Sequence, residues 1–145
     1  MLGGSGYVED SGMPRLYREA PVYSIWEGSG NVVCLDVRRA LRRTPETAAA
    51  LGAELALARG GDRRLDRRID RLLGAAGGEL PEAGLRTFCR ELTVVLQAAL
   101  LVRHAPAFVA EAFLASRLEG AGAVFGMLPD GLDLAGLVAR ASPEA

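Results

Sequence analysis

The feature that most restricts this chain is the run at residues 81–105, where Leu85, Phe88, Cys89, Leu92, Leu96, Ala99 and Leu100 recur at helical spacing. Its second half is apolar nearly all round, broken only by Gln97. A helix without a polar face has to be enclosed by others, so the run predicts the central helix of a bundle. Its longest apolar stretch is shorter than the roughly 18 residues a membrane span needs, so it is read as a core helix and no membrane partner is expected.

The segments around it supply the partners. Residues 29–43 place Val33, Val37, Ala40 and Leu41 on one helical face, and Arg38, Arg39, Arg42 and Arg43 gather at the C-terminal end, where the helix dipole favours cations. Thr44-Pro45-Glu46-Thr47 reads as a cap with proline in the first turn, opening a helix to about residue 59 that Gly60-Gly61 ends. Residues 106–119, with Phe108, Ala112, Ala115 and Leu118 facing inward, and residues 132–141 read as further helices. Residues 13–19 read as a short one, and the rest of residues 1–27 as loop. The expected fold is all-α: a bundle of about five helices preceded by an irregular N-terminal loop. Its divisions are a loop segment at 1–27, the bundle at 28–119 and a tail at 120–145 with a short helix. A chain of 145 residues can bury such a core unaided, and the wealth of Ala, Leu and Arg with few aromatics favours helices over a sheet.

Residues 62–75 have sharply segregated faces. At 100° per residue Leu65, Ile69, Leu72 and Leu73 form one stripe, flanked by Asp62, Asp66 and Asp70 on one side and by Arg63, Arg64, Arg67, Arg68 and Arg71 on the other. Two readings fit the arginine strip. It is a solvated face with Arg/Asp pairs, or it contacts phosphates of a nucleic acid or a nucleotide. The formal charge of −1 argues against binding nucleic acid through bulk charge, so any such contact has to be local. All 17 basic residues are arginine, which suits bidentate phosphate contacts and equally follows from a GC-rich coding bias.

Cys34 and Cys89 lie in separate helical patterns and read as buried, reduced thiols of a cytoplasmic protein. With His104 the only histidine, no His-based metal site is expected, and no leader peptide is read at the N-terminus.

The chemistry concentrates before the first long helix. Glu27 precedes Gly28-Ser29-Gly30, so its carboxylate is expected where a loop hands over to a helix N-terminus. The unpaired N–H groups there stabilise a carboxylate or a ligand's phosphate. Ser29 is placed to cap the helix, and the glycines let a ligand approach the backbone. The aromatics Tyr7, Tyr17, Tyr23 and Trp26 lie in this poorly periodic stretch, which is expected to pack on something outside the bundle.

Trp26-Glu27-Gly28-Ser29 resembles the turn that carries the catalytic base of the acyl-CoA dehydrogenase superfamily, in its C-terminal helical domain. Gly3-Gly4-Ser5-Gly6-Tyr7 is similar to that superfamily's flavin-contacting turn, and Leu16 to Glu19 with Ser24 to Asn31 looks most like its alkylation-response (AidB-type) branch. The resemblance implies Glu27 as the base that removes an α-proton from an acyl thioester. It implies FAD as cofactor, with Gly3, Gly4, Ser29 and Asn31 among its contacts. It also implies as partners the N-terminal flavoprotein domains missing from this sequence or a neighbouring subunit, with a homo-oligomer in view. Without those domains the chain is expected to be inactive alone, whether it is a fragment or a truncated product. The same branch carries a DNA-associating C-terminal domain, which is what favours duplex DNA as a partner for the arginine strip. Three functions stay open: a flavoprotein C-terminal domain, a DNA-associating module, and a helical interaction domain that uses the N-terminal aromatics.

Overall fold

The computed structural model describes residues 3–26, 28–119 and 128–142, and every regular element among them is helical. Seven α-helices follow in order: α1 (Met13–Glu19), α2 (Gly30–Arg43), α3 (Pro45–Ala56), α4 (Arg63–Ala76), α5 (Leu85–His104), α6 (Ala107–Leu114) and α7 (Leu134–Ala141). Short 3-10 turns occupy Gly3–Gly6, Ala20–Ser24 and Glu82–Gly84, and a π-helical turn, Ala115–Glu119, continues α6. None of these helices is long and apolar enough to cross a membrane.

Helix α5 is the hub, packing on α2, α4 and α6, while α3 bridges α2 and α4. Its Leu85, Phe88, Val95, Ala98 and Ala99 meet Leu55 of α3, Leu65, Ile69 and Leu72 of α4, and Leu114 and Leu118 at the end of α6. Leu100, expected on the inward face of α5, is exposed instead, and Ala98 and Val95 take the enclosed positions. The small alanines let neighbouring helices approach α5 closely, which is why its buried stripe is built from them rather than from leucine throughout.

Helix α4 follows its sequence closely. Leu65, Ile69 and Leu72 are buried and Leu73 is half-buried. Asp62 caps the helix, its carboxylate accepting from Arg64 N at 2.7 Å and Leu65 N at 3.3 Å. Helix α2 departs further from expectation. None of its residues is buried, Val33 and Ala40 are exposed, and it meets the core through half-buried Cys34, Leu35, Val37 and Leu41. An apolar stripe in a sequence says which face avoids water, and here α2 lies at the edge of the bundle with that face only partly covered.

The helix ends shift for local reasons. Pro81 is extended (φ −67°, ψ 146°), and a 3-10 turn separates it from α5, so that helix begins at Leu85. Helix α3 ends at Ala56 and turns through residues 57–60. The N-terminal segment is less irregular than expected, since α1 packs on the Ala20–Ser24 turn and Pro14 is buried. Its aromatics nonetheless stay outside. Tyr7 and Tyr17 meet edge to face at 6.2 Å between ring centres, and both are exposed.

Candidate functional site

The first turn of α2 is the centre of the candidate site. Gly28 has φ +115°, a conformation that L-residues other than glycine rarely adopt, and a Cβ there would meet Val32 Cγ1 at 3.2 Å. That backbone reversal delivers Ser29 in an extended conformation (φ −64°, ψ 156°) to the N-cap position. Ser29 makes no side-chain capping bond, contrary to expectation; its carbonyl accepts from Val33 N at 3.1 Å while its hydroxyl is left exposed. The first-turn N–H groups therefore keep their polarity for a ligand. Glu27, the expected base, lies outside the described residues.

Asn31, one residue into α2, is held from a distance. Arg86 of α5 donates through Nη1 to Asn31 Oδ1 at 2.9 Å, across 55 positions of sequence. Arg86, Tyr23, Trp26, Val33, Cys89 and Arg90 help to line a groove of about 630 Å³ that also includes Gly28 and Gly30. The groove combines aromatic faces, bare backbone and two guanidinium groups, a set suited to a ligand with a flat ring and phosphate oxygens. Gly3 and Gly4 sit in an exposed 3-10 turn and do not line it. A Cβ on either would meet nothing within 4 Å, so their side of the turn is open to an approaching group. Ser29 and Asn31 do not line the groove either: they flank Gly30 at the start of α2, Asn31 lining a smaller cavity beside it, while Gly3 and Gly4 stand on a separate element.

Cys34 and Cys89 are free and half-buried rather than buried, and their side chains meet between α2 and α5. Burial, and then the contact with Cys34, push the Cys89 thiol up to about 11. At neutral pH it is protonated and unreactive.

The arginine strip of α4 divides. Arg64 bonds Glu111 of α6 at 2.5 Å and Asp62 at 2.8 Å, and reaches Glu119 at 3.3 Å. Arg68 bonds Glu91 at 2.5 Å and donates to the Leu118 carbonyl at 2.6 Å. These two clamp α4 to its neighbours. The hydrogen bond from Arg64 is the main reason that Asp62 and Glu111 titrate below their ordinary values, and bonds to Glu111 and then Asp62 hold the Arg64 proton more firmly. Arg63, Arg67 and Arg71 are exposed and make no ion pair among the described residues. At i, i+4 and i+8 they form one row along the solvent side.

Sequence reasoning missed Arg86 and Arg90. Nothing in their spacing ties them to residues 28–31, since the link is made only when α5 docks on α2.

Comparison with known proteins gives this geometry a context. Residues 1–42 match the family model of the acyl-CoA dehydrogenase C-terminal domain. The chain is 39% identical over 124 residues to AidB of Escherichia coli (strain K12), which is named as an acyl-CoA dehydrogenase; the match covers 86% of this chain and 23% of that protein. It is 38% identical over 73 residues to acyl-CoA dehydrogenase family member 11 of Caenorhabditis elegans, covering 50% of this chain and 10% of that one. The chain spans less than a quarter of the length of either relative.

Proposed function

We propose that this chain, an AidB-like member of the acyl-CoA dehydrogenase superfamily corresponding to its C-terminal region, contributes the base and part of the FAD site of a flavoprotein that it completes together with other domains or a second subunit. The observation that carries the reading is the turn at Gly28, which places Ser29 and Asn31 at a helix N-terminus beside an aromatic and arginine-lined groove. Glu27 stands immediately before that turn in sequence. Its carboxylate would take the α-proton of an acyl thioester, a position the neighbouring carbonyl acidifies. FAD, when bound, supplies the two-electron acceptor for the β-hydride. Gly3 and Gly4 would admit its phosphates to the backbone, and Ser29 and Asn31 would offer it polar contacts. The chain spans less than a quarter of either relative, and on this reading it does not oxidise an acyl-CoA by itself.

The test is an FAD titration of the purified chain, followed by flavin absorbance and by fluorescence of Trp26, its only tryptophan, which is exposed beside the groove. Saturable binding that survives Glu27→Gln and disappears in Gly4→Val is expected. Absence of binding, or acyl-CoA oxidation by the chain alone, counts against the reading.

A second reading is supported by the row of Arg63, Arg67 and Arg71. Steps of four residues at 1.5 Å rise set their Cα atoms roughly 6 Å apart along α4, a spacing that lets their side chains follow a phosphate backbone. Here the module associates with duplex DNA through three arginines rather than five, because Arg64 and Arg68 are engaged inside the fold. Binding should weaken steeply with added salt, and the triple Arg→Gln variant at 63, 67 and 71 should flatten that slope. No binding at low salt ends this reading.

A further inference from the structure

We propose that Arg86 is a positioning residue of the cofactor site: it locks the Asn31 amide with its NH2 group outward and steadies the first turn of α2. The proposal rests on the reading that Asn31 faces the cofactor. It adds a residue from outside the segment, residues 1–42, that matches the family model.

Three observations converge. A guanidinium can only donate, so the bond of 2.9 Å from Arg86 Nη1 has to meet the oxygen of Asn31, which fixes the amide orientation. The two N–H donors of Asn31 then face away from Arg86. Gly30 makes room for this arrangement, because a Cβ there would stand 3.1 Å from both Nη1 and Nη2 of Arg86 and 3.4 Å from Cζ. Finally, Arg86 lines both the large groove and a neighbouring cavity of about 300 Å³ that Asn31 also lines. Its backbone is anchored by Leu85, which is buried in the core beside it.

The consequence is chemical. With its oxygen occupied, Asn31 presents donors only, and Arg86, which makes no ion pair among the described residues, has its charge free to strengthen that bond. Such a wall recognises an acceptor, either a phosphate or a ring carbonyl oxygen. The bundle beyond the family-matched segment thus sets the polarity of a site whose motif lies within it.

Two measurements on the full chain separate this inference from the reading beneath it. In a 15N-labelled sample, Arg86→Ala should shift the Asn31 side-chain NH2 signals and speed exchange of the Val33 amide several-fold, the amide whose bond to Ser29 O closes the first turn. Arg86→Lys should restore part of both, with the unfolding midpoint unchanged throughout. If neither the Asn31 signals nor Val33 exchange responds, the positioning role is overturned, whatever FAD does.

In the FAD titration, Arg86→Ala and Asn31→Ala should each weaken binding by about tenfold, and the double variant by no more than either. Additive losses would overturn action through Asn31. Asn31→Asp should keep its contact with Arg86 yet bind FAD poorly, because it offers the ligand an acceptor. If the magnetic resonance effects appear while the wild type binds no FAD, Arg86 does position Asn31 and the cofactor reading is the one that fails.

Discussion

The N-terminal segment and the bundle treat the same kind of side chain in opposite ways. In the bundle, Leu55, Leu65, Ile69 and Val95 are 0% exposed, whereas Tyr23 is 74%, Ile25 68% and Trp26 58% exposed just before α2. Isolated exposed apolar residues are ordinary, and a run of them along one short segment is what the proposed partner surface requires. The bundle therefore carries the stability of the chain, and the segment adds little buried surface to it. The candidate site lies at the seam, where α2 packs on α5 and both helices line the groove with Tyr23 and Trp26.

The largest effect that tests this contrast is on the core. Ile69→Ala should cost about 2–5 kcal/mol in urea unfolding, because it leaves a cavity among fully enclosed neighbours. Ile25→Ala should change stability by less than about 0.5 kcal/mol, since the side chain is already in water. A comparable loss at both positions would break the distinction between the two regions.

Much of the bundle was legible for the reason that α4 illustrates. Its apolar positions repeat at the helical period, and the observed helix starts one residue from the expected boundary, with Asp62, read only as an acidic flank of the stripe, serving as its cap. The turn before α2 was legible because it is local: Gly28-Ser29-Gly30 marked the handover from loop to helix, and α2 begins at Gly30. It was not legible where it is made by docking. Helical geometry put five arginines in one strip, but it cannot show that α6 brings Glu111 to Arg64 or that Glu91 of α5 lies against Arg68. Arg86 shows the same limit, since a contact across 55 residues leaves no period to read. Ser29 had the right residue type and position for a cap, yet its hydroxyl makes no capping bond, so residue type alone overstated its structural role.

The smaller effect sharpens the comparison within the bundle, because the Arg64 clamp ties α4 to α6 by charge rather than by burial. Asp62 and Glu111 have folded-state values below the ordinary 3.8 and 4.5, so between the folded and unfolded values the unfolded chain binds more protons. Their contribution is therefore complete above the ordinary carboxylate range and is lost as pH falls through the depressed folded-state values. Glu111 is half exposed in its side chain and Asp62 largely covered, which keeps the pair to about 0.5–1 kcal/mol. Unfolding free energy measured from pH 7 down to pH 3 should fall below pH 4.5 more steeply in the wild type than in the double variant Asp62→Asn, Glu111→Gln. Equal slopes would mean that α6 is held by Leu114 and Leu118 alone and that the clamp only orients it. The same variant should leave the first turn of α2 untouched, since Arg86 of α5 and Asn31 of α2 share no group with the Arg64 network.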